Sequence, residues 1–324
     1  MRCLKEEKTL NEFLKNKVAV ITGSGQGIGR DIALCFAAQG CKVVTNNRKP
    51  GSSIHAFEKT SIAFDEDEQK ELAKMQGDAQ TTAREICEKG GEAAPFFGDV
   101  SSFDTAGELI RFARNTFGRV DIVVHNASSN WEGNFLNMEE AMWDVCITSK
   151  LKGAFNLMHH ALPLMKEQKF GRILLSSSDA FVGLRGLSAY SAANAGVVAL
   201  AKSVAKELEG TGVTVNAYTP LARTRAWYNQ AANYRTRGIP KEVLEANIPP
   251  AMKYTAEGMV PFLAYLASEY GGEINGELFK LAADGEIGLW KDAAVVRTIR
   301  EPSRIWSMEQ LKKKVPGELM AEST

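Results

Sequence analysis

Nothing in this sequence points toward a metal, a disulfide framework or a membrane span. The five cysteines (Cys3, Cys35, Cys41, Cys87 and Cys146) form no CxxC pair and no metal-ligand spacing, so they read as reduced packing residues of a cytosolic protein. The four histidines, His55, His125, His159 and His160, include no HExxH arrangement, and no metal site is expected. No apolar run approaches the length of a membrane span, and the opening MRCLKEEKTL is too charged for a signal peptide. The expectation is a soluble, cytoplasmic protein. Lys+Arg and Asp+Glu both number 39, so no global field draws the chain to nucleic acid or to an anionic membrane surface.

What the chain does have is alternation of strand-length and helix-length patterns. Val18-Ala-Val-Ile-Thr22 is a continuous apolar run of strand length, as suits a strand covered on both faces. It leads into Gly23-Ser-Gly25-Gln-Gly27-Ile-Gly29, after which Ile32, Ala33, Phe36 and Ala37 recur at helical spacing until Gly40. A second strand, Lys42–Asn46, follows at once and completes a βαβ unit with a right-handed crossover. Residues 49–80, polar and acidic at DEDE, are too long for an ordinary connection and read as a partly helical insertion.

Alternation then resumes. Helix 78–89 and strand Ala93–Phe97 precede Asp99-Val100. Helix 104–117, strand Asp121–His125, helices within 139–167 and strand Arg172–Leu175 come next. A helix beginning near Tyr190, strand Val213–Ala217, helix 256–269 and strand Leu278–Ala282 complete the body. The pattern predicts an α/β fold, one doubly wound domain over 17–284 with seven parallel strands and its ligand crevice at their C-terminal ends. Residues 1–16 read as an N-terminal arm, about 221–255 as a substrate lid, and 285–324 as a charged extension.

A glycine-rich turn between a buried strand and an amphipathic helix suits a dinucleotide: the backbone approaches the pyrophosphate and free N–H groups at the helix start hold it. Gly23, Ser24, Gln26, Gly27, Ile28 and Gly29 are therefore candidate cofactor contacts. The tip of the second strand is Asn47-Arg48, with no carboxylate for a ribose 2′-hydroxyl and an arginine for a 2′-phosphate, which favours NADP(H) over NAD(H). Asp99, with Val100, sits where an acid can accept from adenine.

Together, TGSGQGIG (22–29), Asp99, HNAS (125–128), the serine run ahead of Tyr190 and VNAYTP (215–220) resemble the short-chain dehydrogenase/reductase family over roughly 15–290. The stretch 276–311 and ARTRAW (222–227) are similar, more loosely, to the hydroxyacyl-CoA dehydrogenase units of multifunctional β-oxidation enzymes. The resemblance implies Tyr190 as general acid/base and a serine that steadies the substrate oxygen. Counting from GRILLSSS gives Ser178, and counting back from Tyr190 gives Ser177. It also implies cofactor contacts at Asn126, Ala127, Ser128, Pro220 and Thr224, although the family's NAG is NAS here and its PG is Pro220-Leu221.

Two family positions depart together. The lysine expected one turn after the tyrosine is Asn194, and the asparagine expected in WDVCITSKLKGAF is Lys150. A neutral residue at 194 removes the cation that lowers a tyrosine pKa and binds the nicotinamide ribose. Lys150, reaching in from a neighbouring helix, could restore that cation, with Asn194 as the ribose contact. The implied reaction is hydride transfer between NAD(P)(H) and a secondary alcohol or ketone, a hydroxyacyl-CoA or a cyclic alcohol among the candidates. Trp227, Tyr228, Tyr234, Arg223, Arg225, Arg235 and Arg237 of the lid, and Trp131, are candidates to face the substrate. The alternative is a catalytically impaired subunit that supports a partner in a hetero-oligomer. The family also implies a homodimer or homotetramer through helices 139–167 and 190–209.

Overall fold

The computed structural model describes residues 12–51 and 64–320, apart from 237, 292, 295, 301, 303, 304 and 306. Cys3, His55, Arg237 and most of the N-terminal arm lie outside the described residues. The first apolar run forms β1 (Val18–Thr22), every residue of which is buried. Such burial needs cover on both faces, and the helices supply it. α1 (Gly27–Ala38) turns Ile32, Ala33 and Phe36 into the core against Ile21 and Val43, and Leu14, just ahead of β1, is buried in the same cluster.

The sheet continues with β2 (Lys42–Asn47), β3 (Ala93–Phe97), β4 (Ile122–His125), β5 (Gly171–Ser176), β6 (Val213–Leu221), β7 (Leu278–Ala282) and β8 (Ile287–Leu289). Their order is β3-β2-β1-β4-β5-β6-β7-β8. All pairs are parallel except β7 with β8, so the seven expected parallel strands are joined by an antiparallel eighth. β8 takes Ile287–Leu289 out of the stretch expected as extension. The strand order reverses between β1 and β4, and a doubly wound sheet opens its ligand crevice at that switch point.

Between β2 and β3 lie α2 (Glu66–Lys74) and α3 (Ala79–Glu88), each started by a capping box, from Asp65 and from Asp78. α4 (Phe103–Phe117) joins β3 to β4. After β4, α5 (Glu140–Ile147) and α6 (Gly153–Gln168) are joined by a π-helical turn, Thr148–Lys152, with helical dihedrals throughout. α7 (Ser188–Glu207) carries Tyr190 in its first turn. The lid comprises α8 (Arg225–Thr236) and α9 (Lys241–Ala246), and α10 (Val260–Ala267) leads to β7. This unit ends at Leu289. The second, from Trp290, contains α11 (Met308–Lys314), capped by Ser307, and a π-helical turn at Val315–Leu319.

Asp31, on α1, is only 10% exposed, and its Oδ2 accepts the Ala256 N–H at 3.2 Å. Burial pushes its carboxyl from 3.8 up to about 6, against the opposing pull of the Arg30 guanidinium. The folded protein therefore holds this proton more tightly than the unfolded chain, and stability falls as pH rises from about 4 through about 6. Asp31→Asn keeps an acceptor for Ala256 without the buried charge. It is expected to raise the melting temperature at pH 8 while changing it little at pH 4, read by thermal melts at the two pH values. Equal shifts at both would show that charge is not the cause.

Candidate active site

At the switch point a cleft of about 820 Å³ opens over the C-terminal ends of the strands. Its floor is the glycine turn. Gly23 has φ +64°, and a Cβ there would stand 3.0 Å from Ala127 Cα, so the turn and the β4 loop meet backbone to backbone. A Cβ on Gly29 would collide with the Gly23 carbonyl and come within 2.7 Å of Asn126 Nδ2. The first turn of α1 carries no acidic residue and no side-chain cap, which leaves its N–H groups for an anion. These features fit the diphosphate of a nicotinamide dinucleotide.

Gly23, Gln26, Gly27, Ile28, Asn47, Arg48, Asp99, Val100, Asn126, Ala127, Ser128, Pro220 and Thr224, all expected at the cofactor, line this cleft. Ser24 and Gly29 do not. Ser24 is fully buried and its Oγ accepts the Asn46 N–H at 2.8 Å, tying the turn to β2. No carboxylate from the tip of β2 lines the cleft; Asn46, Asn47 and Arg48 stand there.

A chain of hydrogen bonds sets the far wall. Thr22 Oγ1 accepts the N–H groups of Asn126 and Ala127, each at 3.1 Å. It lies 3.0 Å from His125 Nδ1, and His125 Nε2 lies 3.0 Å from the Lys150 carbonyl oxygen. A carbonyl can only accept, so the proton is on Nε2, and Nδ1 accepts from the threonine hydroxyl. Burial, with the Lys150 charge adding to it, lowers the His125 pKa to about 3, so the ring stays neutral.

Lys150 lies in the π-helical turn and lines the cleft, although only 1% of its surface is exposed. Burial alone pulls its ammonium from 10.5 down to about 7. Tyr190 and Ser178 share the cleft with it. Burial holds the phenol above its ordinary pKa, and the polar side chains around it, Ser178 first, pull the other way. The two candidate serines separate here. Ser178 lines the cleft with Tyr190 and acts on its pKa, whereas the Ser177 hydroxyl donates to the Asn194 carbonyl at 3.1 Å and is buried.

Asn194 is fully buried and is not part of the cleft lining. Its Nδ2 donates to the Tyr190 carbonyl at 2.8 Å, one turn back along α7, and its Oδ1 has no partner. The amide nitrogen is therefore committed to the backbone of its own helix. Of the lid residues, Trp227 and Arg225 line the cleft, as does Trp131. Arg223 instead donates from Nε to the Met252 carbonyl at 2.9 Å, and Tyr228 is buried. Arg235 pairs with Glu68 of α2, its Nη2 donating to Oε2 at 2.6 Å. Met75, after α2, also lines the cleft, a contribution that its sequence context did not signal.

The family model for short chain dehydrogenases matches residues 17–66 and 58–232. The chain belongs to the short-chain dehydrogenase/reductase family, a class of NAD(P)-dependent oxidoreductases. It is 35% identical over 270 residues to a 3-oxoacyl-[acyl-carrier-protein] reductase of Synechocystis, covering 83% of this chain and 96% of that one. It is 32% identical over 276 residues to the peroxisomal hydratase-dehydrogenase-epimerase of Saccharomyces cerevisiae, covering 84% of this chain but only 27% of the yeast protein. A crystal structure of a short chain dehydrogenase from Mycobacterium avium superposes with a TM-score of 0.75 at 29% identity, over 95% of this chain and 96% of the other. Among the described residues no helix is long and apolar enough to cross a membrane, and no cluster of His, Cys, Asp and Glu is suited to a metal.

Because Lys150 is held below its free pKa, the unfolded chain binds the extra proton between about 7 and 10.5. Its burial costs most stability below pH 7, and the cost fades as pH rises to 10.5. Lys150→Met is expected to raise the melting temperature by several degrees at pH 6.5, at about 2–4 °C per kcal/mol for a domain of this size, and hardly at pH 10. Scanning calorimetry at both pH values checks this.

Proposed function

We propose that the protein reduces a ketone with NADP(H), on a 3-oxoacyl thioester or a related carbonyl compound. The observation that carries this reading is the shared cleft: Tyr190 and Ser178 open onto the same space as the glycine turn and the start of α1. When bound, the nicotinamide supplies hydride to the carbonyl carbon. Tyr190 gives its phenolic proton to the carbonyl oxygen, and Ser178 donates a hydrogen bond to that oxygen as charge develops. A phenol held above its ordinary pKa carries its proton at neutral pH, the form that a ketone reduction requires at the start.

Lys150 takes the electrostatic part that the family gives to a lysine on the tyrosine helix. Its ammonium, titrating near 7 in the cleft wall, can exchange a proton at neutral pH and return the phenol to its acid form. Arg48 and the missing carboxylate at the tip of β2 favour a 2′-phosphate. The substrate side is lined by Trp131, Trp227, Leu184 and Leu187, a largely apolar surface suited to an acyl chain or ring. We further propose a cytoplasmic homo-oligomer.

Asn194 favours a second reading, a catalytically silent subunit of a hetero-oligomer, because a neutral amide stands one turn after Tyr190 on its helix. Turnover with NADPH and a panel of 3-oxoacyl thioesters and ketones separates the two. Tyr190→Phe is expected to lower kcat by about 10²–10⁴ with NADPH affinity unchanged. Lys150→Asn is expected to lower kcat by about 10² and to erase a pH-rate inflection near 7. An unchanged rate in Lys150→Asn would remove the lysine from the reaction, and absence of turnover in the unaltered protein would favour the silent subunit.

A further inference from the structure

Gln26, the residue just before α1, gives no hydrogen bond to its own helix. With its amide oriented by its neighbours, Oε1 accepts from Arg225 Nη2 at 2.9 Å and Nη1 at 3.2 Å, and Nε2 donates to the Met75 carbonyl at 3.0 Å. One side chain of the glycine turn thus joins the lid, through the first residue of α8, to the insertion, through the residue after α2. Lid and insertion meet again further out, where Arg235 pairs with Glu68 and Lys241 Nζ donates to Asp65 Oδ2 at 2.7 Å.

Arg225 lines the cleft together with Gly27, Ile28 and Thr224 at the start of α1. Burial lowers its pKa, and Gln26 offers both terminal nitrogens of the guanidinium a neutral acceptor. A planar fork over a helix N-terminus matches the oxygens of a phosphate pair, and in a poorly solvated wall such a charge-assisted bond is stronger than at the surface.

We propose that Arg225 binds the diphosphate of the dinucleotide, and that through Gln26, Met75 and α8 this contact seats the lid and the insertion on the bound cofactor. The proposal rests on the reading that a nicotinamide dinucleotide occupies the cleft. It assigns a cationic contact from the lid in a chain whose tyrosine helix lacks the usual ammonium. Bound cofactor then carries the lid residues that face substrate into place.

The test uses competition for bound NADPH, followed by nucleotide fluorescence, with ADP and AMP as probes. The unaltered protein is expected to bind ADP at least tenfold more tightly than AMP. Arg225→Met is expected to weaken ADP about tenfold, leave AMP within twofold, and flatten the salt dependence of ADP binding. Arg225→Lys, which keeps the charge without the fork, is expected to recover most of the ADP affinity. Retained AMP binding shows that the variant is folded. Equal ADP affinity in Arg225→Met and the unaltered protein overturns the proposal while leaving the cofactor reading intact. Failure of the unaltered protein to bind NADPH, NADH or ADP overturns both.

Discussion

The site depends on one threonine hydroxyl. Thr22 ends β1, and its single oxygen takes two backbone N–H groups from the loop after β4 while its proton goes to His125. The imidazole, kept neutral by burial, passes the constraint to the Lys150 carbonyl in the π-helical turn. Three elements far apart in sequence are thereby fixed to one another without a charge being spent. A buried network with every member bonded gives a rigid frame, whereas an unbonded polar group there would cost free energy.

On this frame stands the exchange of lysine and asparagine. The short amide at 194 does not line the cleft and bonds back to its own helix, leaving Oδ1 buried and unbonded. A long amine at 150 reaches the cleft wall from the adjoining helix at the expense of losing most of its water. Desolvation rather than a partner sets the pKa of that amine, so the exchange does more than move a charge: it substitutes a group that changes protonation state near neutrality for one that remains charged. The lid and the insertion both contribute to the cleft lining, through Trp227 and Met75, and are bonded to each other through Arg235 and Glu68.

Much of this was legible in the chain. Buried parallel strands read as unbroken apolar runs, as Val18–Thr22 does. The glycine turn and the serine-tyrosine spacing located the cleft because backbone approach and hydroxyl pairing leave few residue choices. β8 was not legible, since Ile287-Gly-Leu289 is too short for a period to show and its two outer residues are exposed. The sequence offers Ser24 and Asn194 as candidate ligand contacts; that their short polar side chains bond backbone groups, Asn46 N–H and the Tyr190 carbonyl, is visible only in the structure. Arg225 was one of four lid arginines of equal promise in the sequence, and the partners of Arg223 and Arg235 are set by tertiary packing.

The widened turn at 148–152 also has an effect outside the cleft. Trp143 on α5 and Phe155 on α6 are twelve positions apart, which on a regular α-helix sets them about 120° from each other around the axis. One additional residue in the intervening π-helical turn closes that angle to about 20°. Both side chains are exposed, at 38% and 46%. The bulge that carries Lys150 into the interior therefore also aligns two aromatic rings along the outside of the same rod.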